Sequence, residues 1–199
     1  MAAKYPNGEP SMKRLSSWIR KISKGWVALS SLIIFVLFTA LVLPKQASLA
    51  ESGTGNEKSP DMSFIYTSDD LYQLAQAYGE EGRMSYIKAR FSFDLIWPVV
   101  YMVFLTTVIS WLFQRVFRLG SLWQLANLSP LCGMIFDYLE NISTSLVMFR
   151  YPDPTAVVDK LAPIFTLTKW LFVGGSFVLL LLGLIVGIWQ WIGRKIRMG

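Results

Sequence analysis

The chain has 199 residues, of which 53% are hydrophobic, 15% aromatic and only 16% charged, where a soluble domain usually carries about 25% charged residues. That balance excludes an ordinary water-soluble domain. The absence of histidine excludes histidine-based acid–base catalysis, haem ligation and most zinc chemistry. The net charge of +6 sits on basic residues at the ends of apolar blocks, which points to membrane topology and not to nucleic acid.

Residues 1–25 form a basic segment holding Lys4, Lys13, Arg14, Arg20, Lys21 and Lys24. The first apolar block, 26–43, reads WVALSSLIIFVLFTALVL, close to the about 20 residues that cross a hydrocarbon core. Pro44 and Lys45 stop it in the manner of an anchor. Ser48-Leu49-Ala50 resembles a signal-cleavage site, but the block before it exceeds the core of about 7–15 residues that a signal peptide has. An uncleaved first span is therefore expected, with cleavage after Ala50 as the alternative.

Residues 44–93 form the large outer loop. From Gln46 to about Met62 it is rich in Ser, Gly, Glu and Asn without periodicity, which predicts a flexible linker. Thr67 followed by Asp70 has a capping-box layout. Leu71, Leu74, Ala75 and Tyr78 then fall at helical spacing, and Gly79 is a natural helix end. The spacing predicts a short amphipathic helix over 68–78, on the outer membrane surface or across the bundle mouth. Helix resumes after Gly82 and leads into the second span.

The second span is 94–114, interrupted only by Pro98, and a cytoplasmic loop, 115–121, carries Arg115 and Arg118. The third span, 122–149, is the least apolar, with Pro130, Asp137, Glu140 and Asn141 inside it. Its Cys132 is the chain's single cysteine, read as a small apolar filler. In the outer loop 150–169, Asp153-Pro154 predicts the start of a brief helix to Leu161, and Pro163 re-aims the chain. The fourth span is 170–192, and the tail 193–199 holds Arg194, Lys195 and Arg197.

The expected fold is all-α: a four-transmembrane-helix bundle with a short outer amphipathic helix. The three basic groups fall on one side, so the positive-inside rule puts both termini in the cytoplasm of a multi-pass cell-membrane protein. Trp18, Trp111, Trp123, Trp189 and Trp191 mark the inner boundary, and Trp97 and Trp170 the outer one.

Charges in hydrocarbon are costly, roughly 2.5–3.5 kcal/mol for an Asp on insertion scales, so the third span demands an explanation. Asp137, Glu140 and Asn141 stand at i, i+3 and i+4 and share one helical face. Asp94 opens the second span, with Pro98 and Tyr101 one and two turns deeper, and Arg83, Lys88, Arg90, Arg150 and Lys169 supply counter-charges. One reading is a polar lock, in which Asp137 or Glu140 pairs with Lys169 or an arginine and Asn141 bonds across helices. The other is an outward-facing polar pocket. There Asp94, Tyr101, Asn141, Arg83 and Lys169 would bind a small ligand or a membrane-protein partner. As an alternative, Asp137 and Glu140 would act as a carboxylate acid–base pair on a lipophilic substrate. Asp94, Asp137 and Glu140 could also hold a hard cation. Membrane lipid is an expected partner, nucleic acid is not, and Gly183 and Gly187 form a small-xxx-small pair for packing or homodimerisation.

Two stretches resemble a pattern of poorly characterised bacterial four-helix integral membrane proteins. They are Tyr78-Gly79-Glu80-Glu81-Gly82-Arg83 through Asp94, Pro98 and Tyr101, and Asp137-Tyr138-Leu139-Glu140-Asn141. The resemblance covers about half the chain and implies the fold without an activity. The architecture is also similar to that of the sterol isomerase and sigma-2 receptor type, which places acidic residues in an intramembrane cavity; that likeness implies a fold only.

Overall fold

A computed structural model describes residues 11–53, 60 and 64–198 of the chain. The described residues contain helices and no strand. In order they are α1 (Ser11–Ile22), α2 (Gly25–Leu37), α3 (Leu43–Gly53), α4 (Ser68–Arg90), α5 (Phe93–Val116), α6 (Ser129–Arg150) and α7 (Val158–Met198). A π turn, Phe38–Val42, joins α2 to α3, and a 3-10 segment, Leu122–Leu128, precedes α6. Three helical stretches are long and apolar enough to cross a membrane: Gly25–Leu49, Ser68–Val116 and Val158–Arg197.

Several expected boundaries move, each for a local reason. The first apolar helix does not stop at Pro44, because the preceding turn widens. The Leu43 N–H reaches back five residues to the Phe38 carbonyl, which opens the turn where the proline ring would otherwise clash. Helix then replaces the expected linker as far as Gly53, so Ser48-Leu49-Ala50 is helical. The remainder of that linker, 54–59 and 61–63, lies outside the described residues, as does 1–10. The expected third span begins seven residues late. Leu122–Leu128 is 3-10, and Pro130 falls in the first turn of α6, where a missing N–H costs nothing. Asp153-Pro154 starts no helix; α7 begins at Val158 and runs through Pro163 without a break to Met198.

The start of α4 agrees with its sequence signals. The Thr67 side chain accepts from the Asp70 N–H at 3.2 Å, and the Asp70 carboxylate accepts from the Thr67 N–H at 2.8 Å, closing the capping box. Gly79 takes φ 62° and ψ −177°, a left-handed conformation natural to glycine, and turns the chain within α4. The Thr67 bonds hold the Asp70 carboxyl below its ordinary value of 3.8. A depressed carboxyl stabilises the cap above its unfolded value, and the stabilisation is lost as pH falls through the folded value. The protection factor of amides in the first turn of α4, corrected for the intrinsic exchange rate, should therefore fall at low pH. Asp70→Asn should flatten that dependence, and an unchanged profile would remove Asp70 from the cap.

The core has two parts. α5 supplies Tyr101, Phe104, Leu105, Ile109, Leu112 and Phe113, which pack with Val173 and Leu180 of α7. Nearer the 151–157 connection, Leu71, Ala75, Tyr78 and Tyr86 of α4 close over Val147 and Met148 of α6 and Ala162 of α7. α2 leans mainly on α5, through Phe35 stacked on Phe104 at 4.4 Å and a 2.7 Å bond between the hydroxyls of Ser31 and Thr107, and Phe35 also reaches Phe177 of α7. α1 is docked by polar bonds. The Ser16 hydroxyl donates to the Gln124 carbonyl at 2.8 Å, and the Asn127 amide donates to the Ser16 carbonyl at 3.2 Å.

α6 and α7 form an antiparallel pair with matched seams. Among the buried positions on α6, Pro130, Gly133, Asp137, Glu140, Thr144 and Val147 form one seam, with Asn141, Ser143, Ser145 and Met148 buried beside it. On α7 the seam is Ala162, Thr166, Lys169, Val173, Ser176, Leu180 and Gly183. Steps alternate between three and four residues, the 3.5 period of facing helices. The exposed positions of α6 are Ile135, Leu139, Ile142, Leu146 and Phe149, with the terminal Arg150. The helix is thus inverted relative to a water-soluble one, with its polar groups inside and its large apolar groups outside.

Candidate functional site

The polar face of α6 lies against α5 and α7. Asp137, Glu140 and Asn141 are buried, at 7%, 1% and 5% exposure, so all three expected residues do turn inward together. The Glu140 carboxylate meets the Lys169 ammonium at 2.5 Å. Its second oxygen accepts from the Thr166 hydroxyl at 2.8 Å. That hydroxyl lies 2.9 Å from the Tyr66 hydroxyl. The Glu140 carboxylate and the Ala162 carbonyl, 3.1 Å away, both only accept from Thr166, so Tyr66 is the donor in the third contact. The segment leading into α4 is thereby tied through Tyr66 and Thr166 to the buried ion pair.

Asp137 is held differently. One oxygen accepts from the Tyr101 hydroxyl at 3.0 Å and the other from the Asn141 amide at 3.2 Å. Both donors are neutral, and among the described residues no Lys or Arg forms an ion pair with Asp137. The Asn141 amide thus bonds within its own helix, and among the described residues it makes no bond across to a neighbour. Thr144 continues the face, with its hydroxyl on the Glu140 carbonyl at 2.9 Å and the Tyr86 hydroxyl donating to it at 3.1 Å.

The other expected members stand apart. Asp94 shares a helical face with Tyr101 two turns away and is paired with Arg90 at 2.6 Å. Arg83 donates to the Ala75 carbonyl at 3.0 Å, and its guanidinium lies 4.8 Å from the Tyr151 ring centre; these contacts brace the bend in α4 and do not engage a carboxylate. Asp94, Asp137 and Glu140 do not assemble as a hard-cation site. Two of them face basic side chains, and among the described residues no group of three or more His, Cys, Asp or Glu could hold a metal ion. Cys132 is half-buried.

Tyr66, Thr166, Tyr86 and Thr144 were missed in the sequence. Thr166 could have been found by its four- and three-residue steps to Ala162 and Lys169 on the α7 seam. Tyr66 carries no periodic signal at all. Of the Gly183 and Gly187 pair, expected to serve packing or homodimerisation, Gly183 packs against α5 of the same chain: a Cβ there would stand 2.6 Å from the Phe113 ring.

Comparison with protein-family models, with curated proteins and with solved structures finds no match for this chain.

Proposed function

We propose that the chain is a four-span membrane protein, termini in the cytoplasm, that binds a small cationic ligand at an outward-facing polar site centred on Asp137. The inverted character of α6 supports a fourth span: its 22 residues extend about 33 Å at 1.5 Å each, and its exposed side is apolar throughout its interior. The likeness to bacterial four-helix membrane proteins belongs to this same proposal. The basic ends of α1 and α7 and the Arg115–Arg118 turn support an inner face shared by both termini.

One observation carries the ligand reading. Asp137 is a buried carboxylate with neutral donors on each oxygen, while the neighbouring ammonium of Lys169 is committed to Glu140. An ionised carboxylate offers about four acceptor positions, so two remain for a ligand's cationic or donor group. Glu140 lacks that freedom, which favours binding over an acid–base pair with Asp137. α4 packs over the following turns of the same α6 face, through Tyr86 on Thr144, and Tyr66 is linked through Thr166 to Glu140, an arrangement suited to entry from the outer side.

Native mass spectrometry of the protein released from detergent tests the reading. Wild-type protein should carry a small-molecule adduct. Asp137→Asn, folded by circular dichroism, should lose it by roughly tenfold to a hundredfold in occupancy, as expected for a charged hydrogen bond. Identical adduct spectra for the two proteins, or none in either, would contradict it.

A further inference from the structure

A second site lies at the opposite end of α5 and α7, far along both helices from Asp137. Between the two helices runs a cavity of about 360 Å³. Leu112, Val116, Leu184 and Ile188 wall it, and Gly187, whose absent side chain leaves Val116 3.5 Å from where a Cβ would be, forms the floor. Arg115 and Arg194 stand in its lining, both exposed. The Arg115 guanidinium stacks 4.1 Å from the Trp111 ring centre and spends one donor on the Trp111 carbonyl at 2.6 Å. Arg194 donates through Nε to the Gln190 carbonyl at 3.2 Å. Each arginine is braced by its own helix and retains terminal donors.

We propose that this groove binds one anionic phospholipid, with an acyl chain along the apolar walls and the phosphate between Arg115 and Arg194. Charge complementarity selects the occupant. The chain has no Asp or Glu at 11–49, 95–136 or 160–198, so nothing acidic on these stretches competes for the two arginines. Planar guanidinium forks suit phosphate oxygens. An apolar trough continuous with a basic mouth matches a lipid and not a free anion, which would leave the trough empty. α1 lies at the same end, with Lys13, Arg14 and Lys21 beside an exposed Met12, Leu15, Trp18 and Ile22 stripe, the pattern of a helix lying in an anionic headgroup layer. This site is independent of the Asp137 reading.

The full chain, purified in a mild detergent, is incubated with equimolar phosphatidylglycerol and phosphatidylcholine of matched acyl chains and analysed by native mass spectrometry. Wild-type protein should retain one phosphatidylglycerol with a preference of about thirtyfold, from two charge contacts near the surface. R115Q/R194Q should bring the preference close to one, and Gly187→Leu should block both lipids while leaving the arginines in place. Equal retention of the two lipids by wild type, for which no variant is needed, overturns the proposal. So does an undiminished preference in R115Q/R194Q, or displacement of the lipid by millimolar glycerol phosphate.

Discussion

Replacing Lys169 with methionine should destabilise the protein by about 3–5 kcal/mol, the cost of leaving a buried carboxylate without its counter-ion. Glu140 is 1% exposed and meets Lys169 at 2.5 Å. Without the ammonium, its one remaining partner from another helix is the Thr166 hydroxyl. The effect should appear as a fall of roughly 10 °C in the unfolding midpoint of the detergent-solubilised protein, by the usual scaling for chains of this size. The double variant Lys169→Met with Glu140→Gln should recover most of the loss, because the uncompensated charge is gone. A single variant as stable as wild type would show that the pair does not clamp α6 to α7. A double variant no better than the single would show that Lys169 acts through packing. The test separates Glu140 from Asp137: the first is a structural charge, the second the proposed ligand contact.

The second large effect concerns close approach of helices. Gly183→Leu should destabilise by about 3 kcal/mol, at the upper end of overpacking costs, because its Cβ alone would meet the Phe113 ring at 2.6 Å and Leu112 at 2.7 Å. Phe113 is itself 1% exposed and cannot swing away. Gly175→Leu is the control. It lies two turns away on α7, nothing stands within 4 Å of its Cβ position, and the substitution should be close to neutral. Unfolding of both variants in the same detergent decides the matter. Equal stability would mean that α5 and α7 are not in contact at Gly183. Loss of a dimer without loss of stability would instead restore the reading of this face as a surface for a second copy.

These glycines mark the limit of what sequence reveals. A four-residue spacing links Gly175, Leu179, Gly183 and Gly187, yet the buried seam runs through Ser176, Leu180 and Gly183. Small residues announce close packing, but the 3.5 period of facing helices decides which of them are used. The grouping of Asp137, Glu140 and Asn141 was legible, since three- and four-residue steps fix a shared face whatever surrounds it. Their separate partners were not: Lys169 and Tyr101 come from other helices, and their heights depend on register. Proline misled twice. Pro44 and Pro163 read as breaks, whereas the widened turn ahead of Pro44 and the position of Pro163 six residues into α7 accommodate the rings. The polar bonds of Ser16, Gln124 and Asn127 carried no signal, because isolated Ser, Gln and Asn near apolar helix ends look like ordinary boundary residues. The exposed side of α6 was implicit in its sequence, but polar residues on the other side lower its average and hide it.

The inverted α6 is central to the whole account, since the Asp137 site exists only if that helix crosses the membrane with its polar face inward. Cysteine accessibility in intact membranes tests it most directly. In a Cys132→Ser background, single cysteines are placed at Leu119, in the turn before α6, and at Asp153, in the turn after it, both exposed. A membrane-impermeant maleimide should label Asp153→Cys from the outer side and Leu119→Cys only after the membrane is opened. Labelling of both positions from the same side would mean that α6 does not cross, and would contradict the four-span site.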